Sequence, residues 1–421
     1  MFIALHAGAG FFTEPAENDC SEALKRAIAI QRRRRRANES DNGTGISSGT
    51  ATASAVGGDD DDDDNGPLVD AVMFLERCAT LNCGFGSNLT VAGTVEVRSG
   101  LYEFPTDGLR RCRCCHQLNS NNNSSCCSTA LNNASSETGL IRPMVLAGPG
   151  ADKLCASLGI GIVPCNEQLR SDDAVKAFQR AKKLVASTTS AAPSNCLNLT
   201  DNNSRRLDTV GGVAIDPNGV CEACVSSGGI LLKREGRLGH SAQFGAAIWA
   251  EQCVTATASA AGDSDGDDDD DTNAFTNSIS VAVSVSGCGE ALTRTHFAEA
   301  LAQQILTMDV DDDLAFVQHI NRFLELNFVR SRRLCAFPPE RRLLGGLVAI
   351  QQQQQRRSQN GGGAQNIRCR RRILLAFHNS AHFPFAFVGP DHKFRRFMSR
   401  GGKDGHFSCT LFPVSNDTTN G

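Results

Sequence analysis

The chain has 421 residues, 42 Lys+Arg against 46 Asp+Glu, and a formal net charge of −4. Eleven of the negative charges lie in two Asp runs, 59–64 and 267–271. Without them the −4 becomes +7, spread thinly rather than gathered on one element as nucleic-acid binding requires. No run of about 18 apolar residues is present to cross a membrane as a helix.

The opening, Met1-Phe2-Ile3-Ala4-Leu5, reads as a short buried strand ending in the turn His6-Ala7-Gly8-Ala9-Gly10. It has no basic segment ahead of a longer apolar one, so it does not read as a secretory signal. The 18 cysteines are therefore expected to be reduced thiols of a cytoplasmic or nuclear protein. Residues 20–30 have helical spacing, with Ala23, Ala27 and Ile30 on one face, and 69–78 also reads as helix. Residues 210–215 and 220–225 are β-rich runs joined by Asp216-Pro217-Asn218-Gly219, which predicts a hairpin. A strand is expected over 279–285, a helix over 290–306, a second over 313–328, and strands over 343–350 and 373–377. Strands and helices come in runs, so the fold class expected is α+β.

Five stretches read as polar, low-complexity inserts: 32–66, 109–136, 187–206, 263–271 and 351–365. None carries enough apolar surface to offset the entropy of ordering it, so each is expected to be a disordered loop. The run Gln351–Gln355 reads as a repeat without a role.

The segment Leu207-Asp208-Thr209-Val210-Gly211-Gly212-Val213 carries the chemistry. A polar stretch ends at an Asp-Thr bond, and a strand begins at the Thr. If that bond breaks, Thr209 gains a free α-amine with a pKa of about 8. The amine can take the proton of the Thr209 hydroxyl and so activate its own nucleophile. A Thr opening a strand is usually plain β-propensity, and on this segment alone that is the stronger reading. Ser227 ends the second strand of the hairpin, so antiparallel pairing brings it beside Thr209.

Four segments add to this: 2–10 (FIALHAGAG), Asn82-Cys83-Gly84-Phe85-Gly86-Ser87-Asn88-Leu89, 207–251, and Ser286-Gly287-Cys288-Gly289-Glu290 with the later Leu344-Gly345-Gly346. With these the sequence resembles the threonine aspartase branch of the N-terminal-nucleophile hydrolases, in the asparaginase type-2 superfamily. The resemblance implies a four-layer αββα sandwich, self-cleaved at Asp208–Thr209 into an α part, 1–208, and a β part, 209–421. It places Thr209 as nucleophile, Ser227 as the hydroxyl bonded to it, and Ser286 with Gly287 as the oxyanion hole. Arg237 would clamp the substrate carboxylate, Gly289 would line the substrate site, and Asn82 and Gly84 would lie beside the scissile bond. The resemblance implies an endopeptidase cutting after Asp, with no metal or cofactor. It also implies protein substrates among transcription regulators, no nucleic-acid or membrane partner, and an αβ heterodimer paired into a heterotetramer.

The chemistry suits those residue types. An arginine fork bonds both carboxylate oxygens at once, and an oxyanion hole needs fixed donors. Asparaginases and isoaspartyl peptidases resembling this chain carry an Asp three residues after the arginine, to hold the α-ammonium of a free amino acid. This chain has His240 there, which suits a peptide whose α-nitrogen is an amide. The rival readings are L-asparaginase or isoaspartyl-peptide hydrolysis, and an inactive homologue in which residues 97–143 have lost the family's strand and helix.

Cys112, Cys114, Cys115, His116, Cys126 and Cys127 invite a zinc reading, but the adjacent pairs do not fit two spaced C-x₂₋₄-C ligands. His6, ending a buried strand, reads as structural. Lys182-Lys183 and Arg205-Arg206 lie where the family has a nuclear-import signal.

Overall fold

The structure is a computed structural model describing residues 1–41, 66–104, 111–116, 145–146, 153, 169–188, 209–216, 218–257, 275–308, 311–356, 367–401 and 406–414. Asp208, Cys126, Cys127, Arg205-Arg206 and the expected inserts at 42–65, 117–136, 189–206, 263–271 and 357–365 lie outside these residues.

The helices are α1 (Glu14–Asp41), α2 (Pro67–Glu76), α3 (Asp172–Thr188), α4 (Gly289–Thr295), α5 (Phe297–Leu306) and α6 (Asp313–Leu324). The strands are β1 (Phe2–His6), β2 (Arg98–Phe104), β3 (Arg111–His116), β4 (Val145–Leu146), β5 (Val210–Ile215) and β6 (Cys221–Ser227). They continue as β7 (Ile248–Thr257), β8 (Phe275–Gly287), β9 (Leu344–Arg356), β10 (Ile367–His378), β11 (His382–Val388), β12 (Phe394–Arg400) and β13 (Ser408–Pro413).

One sheet has the order β12-β11-β1-β5-β6-β2-β3-β4 and the other β13-β10-β9-β8-β7. Both are antiparallel, apart from the short parallel pairing of β3 with β4. Strand alternation decides which way each residue faces. Phe2, Ala4, Val213, Ile215, Ala223 and Val225 pack against Ile248, Val281 and Val283 of the second sheet. Their neighbours Ile3, Leu5, Val210, Ala214 and Cys224 point the other way, onto Leu24, Ala27, Leu68, Val72 and Leu75 of α1 and α2. On the second sheet, α5 packs on β7 and β8, and α6 on β13.

Local signals explain most element ends. Pro67 opens α2, where its missing N–H is no loss. Asp312 caps α6 by accepting from the N–H groups of Leu314 and Ala315. The hairpin is present, with Val210 opposite Ser226 and Ile215 opposite Cys221.

Five expectations need correction. The helix expected over 20–30 runs the full length of α1, through Arg32–Arg36, because Arg, Ala and Glu are strong helix formers and neither Gly nor Pro intervenes before Gly43. The helix expected over 290–306 is two, broken at His296, whose φ of 47° is left-handed. The expected 313–328 helix ends at Leu324 and widens into one π turn over Glu325–Val329. The Gln run is no loop, because β9 continues through it between β8 and β10. There Gln351 and Gln353 are buried, and Gln351 Oε1 accepts from Arg372 Nε at 2.5 Å.

The region 109–136 also departs from a loop where it is described. Residues 111–116 form β3, which covers the edge that β2 would otherwise leave open. β2 itself pairs with β6 from Arg98 opposite Ser227 to Phe104 opposite Cys221. Among the described residues no helix is long and apolar enough to cross a membrane.

Candidate active site

Thr209 precedes β5 and is buried, 1% exposed. The register of the hairpin sets it opposite Ser227, and its Oγ1 donates to Ser227 Oγ at 3.0 Å. Ser227 Oγ also accepts from the Gly229 N–H at 3.0 Å, which fixes the position of that oxygen.

His240 Nε2 lies 3.4 Å from the same Thr209 Oγ1. His240 begins a single 3₁₀ turn, His240–Ala242, and its ring packs on Gly289, where a Cβ would come 2.7 Å from Nδ1. Burial and the nearby Arg237 guanidinium push the imidazole pKa down to about 4, with Glu290 opposing, so the ring is neutral near pH 7.

The loop Asn82–Asn88 builds the floor. Asn82 Nδ2 and Asn88 Nδ2 both donate to the Gly229 carbonyl, at 2.9 and 2.8 Å. Asn82 Oδ1 accepts from the Asn88 N–H at 2.9 Å, and the Asn82 carbonyl accepts from Gly228 N–H at 2.8 Å. Lys233, itself buried, donates from Nζ to the carbonyls of Asn88 and Gly228, each at 2.6 Å. Gly84 has φ +49°, and a Cβ there would meet the Glu76 carbonyl at 2.1 Å. It seats the loop against the end of α2 and does not reach the nucleophile through any described hydrogen bond.

Arg237 is paired with Glu290, its Nε donating at 2.9 Å and its Nη2 to the same Oε1. Gly229 lies under the guanidinium, where a Cβ would sit 3.4 Å from Nη1. A cavity of about 170 Å³ lies beside the pair, lined by Leu238, Gln243, Gly289, Glu290, Thr293 and Arg294.

Ser286 is buried and its Oγ accepts from Ala9 N–H at 3.2 Å, which ties the end of β8 to the turn after β1. Gly287 has φ +149°, and a Cβ would meet the Leu343 carbonyl at 2.4 Å. His6 is fully buried and pairs through Nε2 with Ser284 Oγ at 3.0 Å, which in turn donates to the Cys224 carbonyl at 3.0 Å. Burial holds the His6 pKa down at about 3, against a hydrogen bond to the Thr209 backbone, while His240 lowers it further.

On the opposite face of β6, Ser226 Oγ donates to Glu76 Oε1 at 2.5 Å. Burial pushes the Glu76 carboxyl up to about 7, with Ser226 and Arg77 opposing.

Thr209, Ser227 and His240 thus meet at one point; Asn82 holds the Gly228–Gly229 backbone that follows Ser227, and Gly289 packs against the His240 ring. Asp208, half of the expected cleavage bond, is outside the described residues. Sequence reasoning missed Glu290 as the partner of Arg237, Glu76 behind Ser226, and Lys233 as a brace. Glu290 and Lys233 stood inside quoted motifs, and that was their only signal. Among the described residues no three His, Cys, Asp or Glu side chains gather as metal ligands.

Residues 60–267 match the family model described as Asparaginase. A plant-type L-asparaginase of Pyrobaculum calidifontis is 29% identical over 189 residues, covering 45% of this chain and 57% of that protein. A probable isoaspartyl peptidase/L-asparaginase of Arabidopsis thaliana is 29% identical over 195 residues, 42% of this chain and 56% of its own length. The isoaspartyl peptidase/L-asparaginase of Mus musculus is 26% identical over 188 residues, 43% of this chain and 49% of its own. The chain thus spans about half the length of the curated relatives it matches. On these matches the segment 60–267, which carries Asn82, Thr209, Ser227, Arg237 and His240, is similar to the asparaginase family of the N-terminal-nucleophile hydrolases.

Proposed function

We propose that this chain is a self-activating threonine hydrolase, folded as the four-layer αββα sandwich of that superfamily, that cuts polypeptides on the carboxyl side of Asp. The observation that carries the reading is the meeting of Thr209 Oγ1 with Ser227 Oγ at 3.0 Å, at the residue that leads into a central strand. Cleavage at Asp208–Thr209 would expose an amine of pKa about 8 on the same residue, a base already in place for the hydroxyl. Thr209 Oγ1 then attacks the scissile carbonyl, and Ser227 steadies it. Ser286 and Gly287 are the proposed donors to the oxyanion, and Ser286 would have to exchange its present bond with Ala9 for that role. Arg237 is the proposed clamp for the Asp side chain; its fork already holds the Glu290 carboxylate, the chemistry a substrate would bring.

His240 supports a peptide substrate over a free amino acid. A neutral, buried imidazole at this position offers no counter-charge to an α-ammonium. The names of the matching relatives favour a second reading, hydrolysis of asparagine or isoaspartyl peptides. Assembly as an αβ pair, two such pairs together, and nuclear protein substrates are further parts of the proposal.

Purified wild-type chain should give two fragments on intact-mass measurement, cut at 208/209. Thr209→Ala should stay in one piece and lose all activity. Cleavage of an Asp-containing peptide without release of ammonia from asparagine supports the endopeptidase; the reverse supports the second reading. A Thr209→Ala protein that still splits at 208/209 overturns both.

A further inference from the structure

The proposed function leaves the first cut without a base. Before it, the Thr209 nitrogen belongs to a peptide bond and has no lone pair to accept a proton. Among the described residues, Thr209 Oγ1 has two hydrogen-bond neighbours, Ser227 Oγ and His240 Nε2. A serine hydroxyl is no base near pH 7, whereas a neutral imidazole is one. From this we infer that His240 is the catalytic base of the maturation cut, a role separate from the turnover that the freed amine would serve. The inference rests on the proposed self-cleavage at Asp208–Thr209.

The geometry allows the switch. The Thr209 hydroxyl has one proton and two neighbours. With the ring proton on Nδ1, Nε2 carries a free lone pair; the hydroxyl, otherwise turned toward Ser227, points at Nε2 when rotated about its C–O bond and makes His240 the acceptor. The 3.4 Å separation needs to close by a few tenths of an ångström as the proton moves. The charged groups around the ring set its state: Arg237 disfavours the imidazolium, Glu290 favours it, and buried His6 lies close enough to be coupled to it. Burial keeps the ring unprotonated and available at neutral pH.

The step balances as follows. His240 Nε2 takes the hydroxyl proton while Thr209 Oγ1 bonds to the Asp208 carbonyl carbon, whose π pair moves to oxygen. As the carbonyl re-forms, the bond to the Thr209 nitrogen breaks, and that nitrogen receives the proton from His240 and becomes an amine. The resulting ester between Asp208 and Thr209 Oγ1 is hydrolysed by one water, giving the Asp208 carboxylate and a free Thr209.

The test follows conversion of full-length precursor to two fragments by intact mass over time. His240→Gln, which keeps size and polarity but cannot accept the proton, should mature about a hundredfold more slowly. His240→Ala should be equally slow and should be rescued by added imidazole. That rescue should fall as the pH drops below about 6.5, where imidazole becomes protonated. A merely structural histidine would not respond to imidazole in this way. Wild-type rates in His240→Gln overturn the inference and leave the proposed function standing. So does a variant pair in which Asp208→Asn stops the cut while His240→Gln does not. A slow His240→Ala that imidazole does not help also overturns it. A wild-type chain that never splits removes the proposed function and this inference together.

Discussion

Glu290 occupies the fork of Arg237 that a substrate carboxylate would need. Half of the Glu290 side chain faces solvent, so the pair is weak and exchangeable. Glu290→Gln should therefore free the guanidinium and lower KM by about two- to fivefold, with little change in kcat, in steady-state kinetics on an Asp-containing peptide. Arg237→Lys should raise KM, because a point charge cannot bond both oxygens. Glu76 gives a prediction of another kind. Its carboxyl titrates at about 7 in the folded chain against 4.5 as the ordinary value, so the folded state holds a proton that the unfolded state has lost between those values. Its share of stability is therefore complete below 4.5 and fades as the pH rises through 7. Glu76→Gln, a neutral isostere that keeps an acceptor for Ser226, should gain up to about 3 kcal/mol over wild type at pH 8 and nothing at pH 4, read by urea titration. The pairing of Thr209 with Ser227 was legible in the sequence, because two adjacent strands and one turn determine it. Glu76 behind Ser226 and Glu290 on Arg237 were not, since each joins elements far apart in the chain.

Two glycines show how tightly the elements around the site are packed. A Cβ on Gly211 would lie 2.5 Å from Ser284 Oγ, 2.7 Å from the Cys224 carbonyl and 2.8 Å from His6 Nε2. Gly211→Ala should thus break the contact between the sheets at the nucleophile, at a cost of about 1–3 kcal/mol, visible as a lower melting temperature. Gly84→Ala adds a strained φ of +49° to a clash with backbone and should cost more. At this scale the sequence misled in an instructive way. Polar, repetitive composition argued for loops at 32–36 and 351–355, yet both are regular backbone. Arginine runs have helix propensity that a search for apolar periodicity overlooks. Glutamines can lie buried in a central strand: Arg372 satisfies the Gln351 side-chain oxygen, while Gln351 Nε2 is left without a hydrogen-bond partner among the described residues. The break at His296 left only a weak sequence mark, because histidine is enriched in the left-handed region without being confined to it.

For the molecule as a whole, burial sets the response to acid. His6, His240 and His378 titrate at about 3, 4 and 4, all below the ordinary 6.5. Between those values the unfolded chain takes up protons that the folded chain refuses, so stability falls as the pH drops from 6.5. Glu76 acts in the opposite direction over part of that range, but three groups outweigh one. The urea midpoint should be lower at pH 5 than at pH 7. The α+β class was legible from the order of strands and helices, but the division into two antiparallel sheets and their pairing order were not. β1 lies between β5 and β11, and β2 beside β6, so residues from before and after Thr209 are woven into one sheet. Severing the chain ahead of Thr209 would therefore release nothing while the sheet holds. It would instead raise the molecularity of unfolding: the melting point of the cut form should rise more steeply with protein concentration than that of a Thr209→Ala chain.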